Sequence, residues 1–455
     1  MLKTGSTPGY TYYIFERMVN TKKGLVLGTT AVALSAVAVV GAGVNLSRSQ
    51  SPIQLASLQF QNGPKETIDE VWQIINHQYV DTSFNNNDWL KIRQEYVKNA
   101  NYSDRKGAYK AIREMLGKLE DPYTRFMNPE EFQNMRIDTS GELTGVGIQI
   151  AKDEESDRLI VISPIEETPA FEAGILAQDL IIKIDGKDTK GMDVNDAVKL
   201  IRGERGSQVT LTIDRDGTAT DYAITRERIE IHPVRASIRN TEVGKIGYIR
   251  LTTFNEHAAR DMQKAIKEQE KANVDAYVLD LRSNPGGLLY SSIDIARMWI
   301  DEGTIVSTVN RKGVSDRESA KNKALTDKPL VVLVDGGSAS ASEILSGALK
   351  DNKRATILGA KTFGKGLVQS VRPLGDGSGL AVTIAKYLTP NGTDINKEGI
   401  PPDVVLELNE EQLKELYTGD RSKLGTVEDP QFAKALDILN DDIQAYKSGE
   451  PRAAK

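Results

Sequence analysis

The spacing of hydrophobic positions changes character several times along the chain. From Gly24 to Leu46 they form one uncharged run of Val, Ala, Leu and Gly, with Arg17, Lys22 and Lys23 before it and Arg48 after it. A run of that length is just enough to span a bilayer as a helix, and its basic amino-terminal flank directs the rest of the chain outward. It reads equally as a cleaved signal, with Ala36-Val37-Ala38 offering a cleavage site. Either way the remainder is expected to be exported. A polar linker continues to about Pro64. Ile68, Val71, Trp72, Ile75 and Tyr79 then share one helical face. Ala108, Ile112, Met115 and Leu116 repeat the pattern before Asp121-Pro122-Tyr123 breaks it.

From Gly141 the period shortens. Val146, Ile148 and Ile150 alternate, and Leu159, Val161 and Ser163 form a second run. Pro169 to Gly174 predicts a short helix closed by glycine. Leu180 to Ile184 leads into the turn Asp185-Gly186, and Val194 to Ile201 has helical spacing. Val209, Leu211 and Ile213 form a strand that enters Asp216-Gly217. The ordered set Gly145-Val146-Gly147-Ile148, Ala173 to Asp179, Ile184-Asp185-Gly186 and Arg202 to Gly206 resembles a PDZ domain. That resemblance implies that Gly145, Val146, Gly147 and Ile148 receive a peptide's terminal carboxylate. The peptide would add as a strand opposite the helix Val194 to Ile201.

Beyond Ile231, strands and helices alternate. Gly247 to Leu251, Val274 to Leu281 and Leu330 to Val334 read as strands. Ala258 to Gln269, Leu288 to Ile300 and Ser338 to Leu349 read as helices. This predicts an α/β core with its strand-to-helix turns gathered on one edge, the usual place for a site.

Composition narrows the chemistry. The 455 residues carry a net charge of −6, which leaves no basic footprint for nucleic acid. Cysteine is absent, so disulfides, thiol catalysis and thiolate metal sites are excluded. His77, His232 and His257 are far apart and form no H-E-x-x-H, and no metal or other cofactor is expected.

Two turns carry paired glycines, Gly286-Gly287 and Gly336-Gly337, and neither fits a phosphate-binding loop. Ser340 with Glu343 matches the S-x-x-E capping box, a structural role that any serine at a helix start can fill. An acyl-transfer site also needs a base and two amides facing an oxyanion. The amides of Ala341 and Gly286 are candidates for that pair. The candidate base is Lys365, flanked by Gly364 and Gly366 and followed by an alternating strand. Gln369 is four residues on, so both side chains are expected on one strand face. Burial lowers a lysine's pKa, and only a neutral lysine can deprotonate a serine.

Ser338-Ala339-Ser340-Ala341-Ser342-Glu343, followed 25 residues after Ser340 by Lys365 within Phe363-Gly364-Lys365-Gly366, resembles the carboxyl-terminal processing peptidases of family S41. Asp280-Leu281-Arg282 with Asn284 and Gly286-Gly287, Asp121-Pro122-Tyr123-Thr124 and Thr389-Pro390-Asn391-Gly392 are similar to further signatures of that family. The resemblance implies Ser340 as nucleophile, Lys365 as general base, Gln369 as its orienting partner and an oxyanion hole at Gly286 and Ala341. It also implies a crotonase/ClpP-like α/β serine peptidase core that cuts protein substrates with apolar carboxyl-terminal tails. In some members the PDZ domain gates the site, which makes Arg202 and Arg205 candidate latch residues.

The expected organisation is therefore α/β and multidomain. A basic segment with a signal or anchor (1–46) and a linker (47–64) lead to a small helical domain (65–140). A PDZ domain (141–230), an S41 peptidase core (231–408) and a charged, partly helical tail (409–455) complete it. Location in a periplasm or thylakoid lumen is the expectation for an exported chain, with membrane association through residues 24–46 if the segment is retained. Self-association into a homo-oligomer stays open. Two contrasting readings are a catalytically inactive PDZ-type envelope adaptor and a crotonase-like acyl-CoA enzyme. The intact Ser340, Lys365 and Gln369 argue against the first, and the PDZ domain against the second.

Overall fold

A computed structural model of the chain describes residues 63–449 apart from 99, 101, 154–155 and 418–420. The apolar run 24–46 therefore lies outside the described residues. Among those described, no helix is long and apolar enough to cross a membrane. The architecture is mixed α/β, as the alternation of apolar periods predicts, and divides into two compact units.

The larger unit opens with helix α1 (Pro64–Gln78), which begins at a proline and buries Ile68, Val71, Trp72 and Ile75. Helix α2 (Trp89–Arg93) and helix α3 (Arg105–Gly117) come next, capped by Asp88 and Asp104, whose carboxylates accept the Lys91 and Gly107 amides. Strand β1 (Arg125–Met127) and helix α4 (Pro129–Ser140) complete this part. Helices α1, α2 and α3 share one hydrophobic cluster with Phe126, Leu374, Leu380 and Val382, and α4 packs Phe132 and Met135 with Met127 and Ala381. Their apolar stripes thus pack on strands contributed from far down the chain.

The smaller unit is built around residues 141–231. Its strands are β2 (Glu142–Gly145), β3 (Ile148–Asp153), β4 (Arg158–Pro164), β5 (Leu180–Ile184), β6 (Lys187–Asp188), β7 (Gln208–Arg215), β8 (Thr218–Thr225) and β9 (Glu227–Glu230). Helices α5 (Pro169–Glu172) and α6 (Val194–Ile201) lie between them. The main sheet runs β3-β4-β5-β7-β8, which leaves β3 at an edge. Strand β2 pairs separately with β9.

In the larger unit the chain then forms β10 (Val234–Thr241), β11 (Gly244–Leu251), helix α7 (Ala258–Lys271), β12 (Ala276–Asp280), helix α8 (Leu289–Trp299), β13 (Thr304–Asn310), β14 (Gly313–Ser319) and β15 (Leu330–Val334). Helix α9 (Ala341–Asp351), β16 (Thr356–Gly359), β17 (Leu367–Pro373), β18 (Gly379–Leu388) and β19 (Val404–Val405) come after them; of the tail helices, α10 (Glu410–Tyr417) belongs to the smaller unit and most of α11 (Pro430–Ser448) to the larger. One sheet has the order β10-β11-β12-β15-β16-β19 and is parallel from β11 onward. Strands β12 and β15 are wholly buried, as the apolar runs 276–279 and Leu330–Val334 require in a parallel sheet covered on both faces. A second, antiparallel sheet has β18 paired with β1, β13 and β17. The carboxyl ends of the adjacent parallel strands β12, β15 and β16 deliver the turns that carry Gly286, Ser340 and Lys365.

Candidate active site

Three turns meet at this edge and are laced by their own polar groups. The Ala339 amide and the Ser342 hydroxyl both donate to the Asn284 carbonyl oxygen, at 3.0 and 2.9 Å. The Ser338 hydroxyl donates to Leu281 O at 2.8 Å, and the Ser283 amide to Asp335 Oδ1 at 2.8 Å. Phe363 N–H in turn donates to Ser338 O at 3.1 Å.

Ser340 is the last residue before α9 and has φ +54° and ψ −111°. A non-glycine residue there is strained, at a cost of about 1–3 kcal/mol, and persists only where its surroundings enforce it. The enforcement comes from Glu343. Its Oε2 accepts the Ser340 amide at 2.8 Å, which is the carboxylate half of the predicted capping box. The same Oε2 accepts the Lys365 amide at 2.8 Å, so the two main-chain nitrogens lie within twice that distance of each other. Oε1 accepts the Gly364 amide at 2.7 Å and the Thr362 hydroxyl at 2.6 Å. Burial raises the Glu343 pKa above its ordinary value, with these four bonds acting the other way. All four are donated to the carboxyl group. One buried carboxyl group therefore ties the serine turn to the lysine loop.

Ser340 is 0% exposed, and its hydroxyl oxygen has no hydrogen-bond partner within ordinary limits among the described residues. Tyr387 is its neighbour; burial and the Glu343 charge hold that phenol well above its ordinary range, with the serine hydroxyl acting the other way. The phenol proton goes to the Lys365 carbonyl oxygen.

Lys365 is 3% exposed. Burial, reinforced by the Arg125 charge, brings its pKa down to about 7 against the opposing pull of Asp121 and Glu343. The Tyr123 ring lies 4.8 Å from Nζ. Lys365 itself precedes β17, and the pairing of β17 with β18 shifts register between Val368 and Gln369. The alternation used to set Lys365 and Gln369 on one face is therefore interrupted: Val368, Gln369 and Ser370 are buried in succession. Gln369 reaches the interior through the irregularity, with Nε2 3.5 Å from Thr383 Oγ1 and Oε1 without a partner among the described residues.

Gly286 lies against the serine turn. A Cβ there would stand 2.6 Å from Ala339 O, 2.9 Å from Ala341 N and 3.0 Å from Ser340 Cβ, and φ is +101°. Only glycine fits. The Ala341 amide opens α9, where first-turn amides have no acceptor within the helix. The Gly286 amide is engaged, donating to Asn284 Oδ1 at 2.9 Å. Asp280, at the base of the same turn, is fully buried and grips Arg282 through Nε at 2.9 Å and Nη2 at 2.6 Å, with the Tyr248 hydroxyl at 2.6 Å. Burial raises its pKa, but the Arg282 and Arg250 charges prevail and hold it well below the carboxylate range.

Of the histidines, His77 Nδ1 lies 2.8 Å from Gln73 O and His232 Nδ1 2.8 Å from Asp261 Oδ2, contacts that do not involve Ser340. Among the described residues no acidic or histidine cluster could hold a metal. Gly145 ends β2, Val146 and Gly147 form the turn and Ile148 opens edge strand β3, where Val146 O accepts the Ala170 amide at 2.8 Å. Sequence reasoning missed Thr362, Thr383 and Tyr387, and saw in Glu343 only a cap. Thr383 did carry a signal, as the one polar residue in the apolar run Leu380 to Ala385.

Comparison with known proteins agrees with this geometry. The profile of peptidase family S41 matches residues 245–406 and that of a PDZ domain residues 160–215. A carboxyl-terminal-processing protease of Synechocystis sp. is 44% identical over 381 residues, which cover 83% of this chain and 87% of that one. Carboxyl-terminal-processing peptidase 2, chloroplastic, of Arabidopsis thaliana is 43% identical over 362 residues, 77% of this chain and 70% of that one. A solved structure described as a photosystem II D1 C-terminal processing protease is 39% identical, with a TM-score of 0.54, and covers 82% of this chain and 100% of its own. Fold, turns and likenesses together define a serine peptidase with a mixed α/β core and a PDZ domain. The chain belongs to peptidase family S41, among the carboxyl-terminal processing proteases. Its substrates are accordingly proteins.

Proposed function

We propose that Ser340 is the nucleophile and Lys365 the general base of an exported endopeptidase that trims proteins near their carboxyl ends. The carrying observation is the Glu343 carboxylate, which accepts the main-chain amides of both residues on one oxygen. Neutral Lys365 takes the proton from Ser340 Oγ as Oγ bonds to the scissile carbonyl carbon. The oxyanion is met by the Ala341 amide and, once its bond to Asn284 is shared or released, by that of Gly286. The new ammonium gives its proton to the leaving nitrogen as the C–N bond breaks, leaving an ester on Ser340. Lys365 next deprotonates a water that attacks the ester, which releases the carboxylate and restores the serine. Gln369 orients the amine through its buried carbonyl.

The smaller unit supplies recognition. Edge strand β3 offers free backbone groups for an added strand, beside the Gly145 to Ile148 turn. Ile148, Ile150, Val198 and Leu200, partly buried on its core, give that edge an apolar lining. This supports substrates with apolar carboxyl-terminal tails. Relatives named chloroplastic and the run 24–46 support a periplasm or thylakoid lumen as the location.

The test is Ser340→Ala, assayed on a peptide with an apolar carboxyl-terminal tail. Turnover should fall to background while thermal stability is kept. Retained cleavage would remove Ser340 from the chemistry.

A further inference from the structure

The turn Asp121-Pro122-Tyr123-Thr124 has no part in the chemistry above, yet it approaches the base from a separate segment of the chain. Thr383 lies on β18 directly opposite Gln369 on β17. Its hydroxyl donates to Asp121 Oδ2 at 2.7 Å. The Thr124 hydroxyl donates to the same oxygen at 2.7 Å, a shorter contact than its 3.3 Å approach to Thr383 Oγ1. Thr383 N–H in turn donates to Thr124 Oγ1 at 3.0 Å, which locks the turn to the strand.

A hydroxyl has one proton. With that proton given to Asp121, Thr383 Oγ1 can only accept from Gln369, whose Nε2 is 3.5 Å away. The network thereby decides which way the amide faces, since the two ends of a glutamine amide are told apart only by their partners. The amino group faces Thr383, and Oε1 is left buried and without a partner among the described residues. A buried acceptor in that state is poorly used at rest and well used once an ammonium comes within its reach. The same turn also places the Tyr123 ring 4.8 Å from Lys365 Nζ.

We propose that Asp121, acting through Thr383, is a positioning group for the base: it fixes the Gln369 amide so that Oε1 is presented to Lys365. The proposal rests on the assignment of Ser340 and Lys365 above, and it adds a fixed hydrogen-bond direction running from Gln369 to Thr383 to Asp121.

The experiment uses the full chain and the tailed peptide, with kcat and KM measured across the acid limb of the pH profile and melting curves recorded for every variant. Thr383→Val should lower kcat roughly 10- to 100-fold, the loss expected of a displaced catalytic group, with KM within about twofold. Thr383→Ser should restore it. In a Gln369→Ala background the valine should cost nothing further, because coupled residues are not additive. Asp121→Asn serves if the valine variant fails to fold. It removes a charge that favours the Lys365 ammonium, so the acid limb should move to lower pH along with a fall in kcat. An equal loss from valine with and without Gln369, a serine variant no better than valine, or an Asp121→Asn variant with unchanged kcat would overturn the relay. Full activity of Gln369→Ala would do the same. Those outcomes leave the dyad standing, whereas cleavage by Ser340→Ala would remove the dyad itself.

Discussion

The two units handle polar groups in opposite ways. In the smaller unit β3 lies at a sheet edge, and nearby ion pairs such as Lys152–Asp157 and Arg158–Asp188 involve partly or largely exposed groups. At the serine turn of the larger unit the polar groups are buried: Asp280 and Arg282 are both 0% exposed, and Glu343 accepts four hydrogen bonds. Recognition of an added strand needs unmet backbone groups and a surface. Acyl transfer needs groups aimed in advance and kept dry. Substitutions should therefore act through affinity in one unit and through turnover and stability in the other.

The largest contrast is expected at Glu343. Glu343→Ala would leave four buried donors without their acceptor, each worth about 1–3 kcal/mol when unmet. Turnover should become undetectable, and denaturant melts should lose about 3–5 kcal/mol. A variant with near-native stability and rate would show that the clamp is dispensable.

Next comes Lys365, where activity and stability pull apart. The folded pKa of about 7 lies below the ordinary 10.5, so between those values the unfolded chain binds more protons. Stability from this group consequently rises with pH across that window, and below it the buried ammonium costs on the order of a few kcal/mol. Activity of the parent should climb through about pH 7 as the amine loses its proton. Lys365→Met should be inactive yet melt higher than the parent at acid pH, with the gap closing in alkali. A gap that ignores pH would show that the lysine is not held neutral by the fold.

The smallest effect belongs to the smaller unit. Val198→Glu puts a charge on the helix beside β3. It should raise KM for an apolar-tailed peptide about tenfold, equivalent to about 1.4 kcal/mol, and change kcat less than twofold. A fall in kcat with KM unchanged would erase the division of labour.

Much of this was legible in the sequence because it is local. Leu180–Ile184, Leu330–Val334 and Val194–Ile201 have the spans their apolar periods predict. The paired glycines Gly286-Gly287 stand out in the sequence, and Gly286 lies tightly against the serine turn. What escaped depends on distant contacts or on departures from regular geometry. Ser340 was legible as a cap, but its positive φ was not, because it is imposed by a carboxylate that also binds a loop 21 and 22 residues further on. The irregularity between Val368 and Gln369 breaks a period-two argument that holds only in an unbroken strand. Asp121 and Thr383 are 262 residues apart, and no local pattern pairs them. The amide of Gly286, a candidate for the oxyanion pair, donates to the side chain of Asn284, a contact that the sequence does not reveal.

The complete burial of the Ser340 hydroxyl sets a kinetic ceiling. No carbonyl carbon can bond to an oxygen with no accessible surface, so turnover through Ser340, as proposed above, begins with an opening of the protein around it. The frequency of that opening bounds hydrolysis and covalent labelling of the serine alike, however reactive the partner.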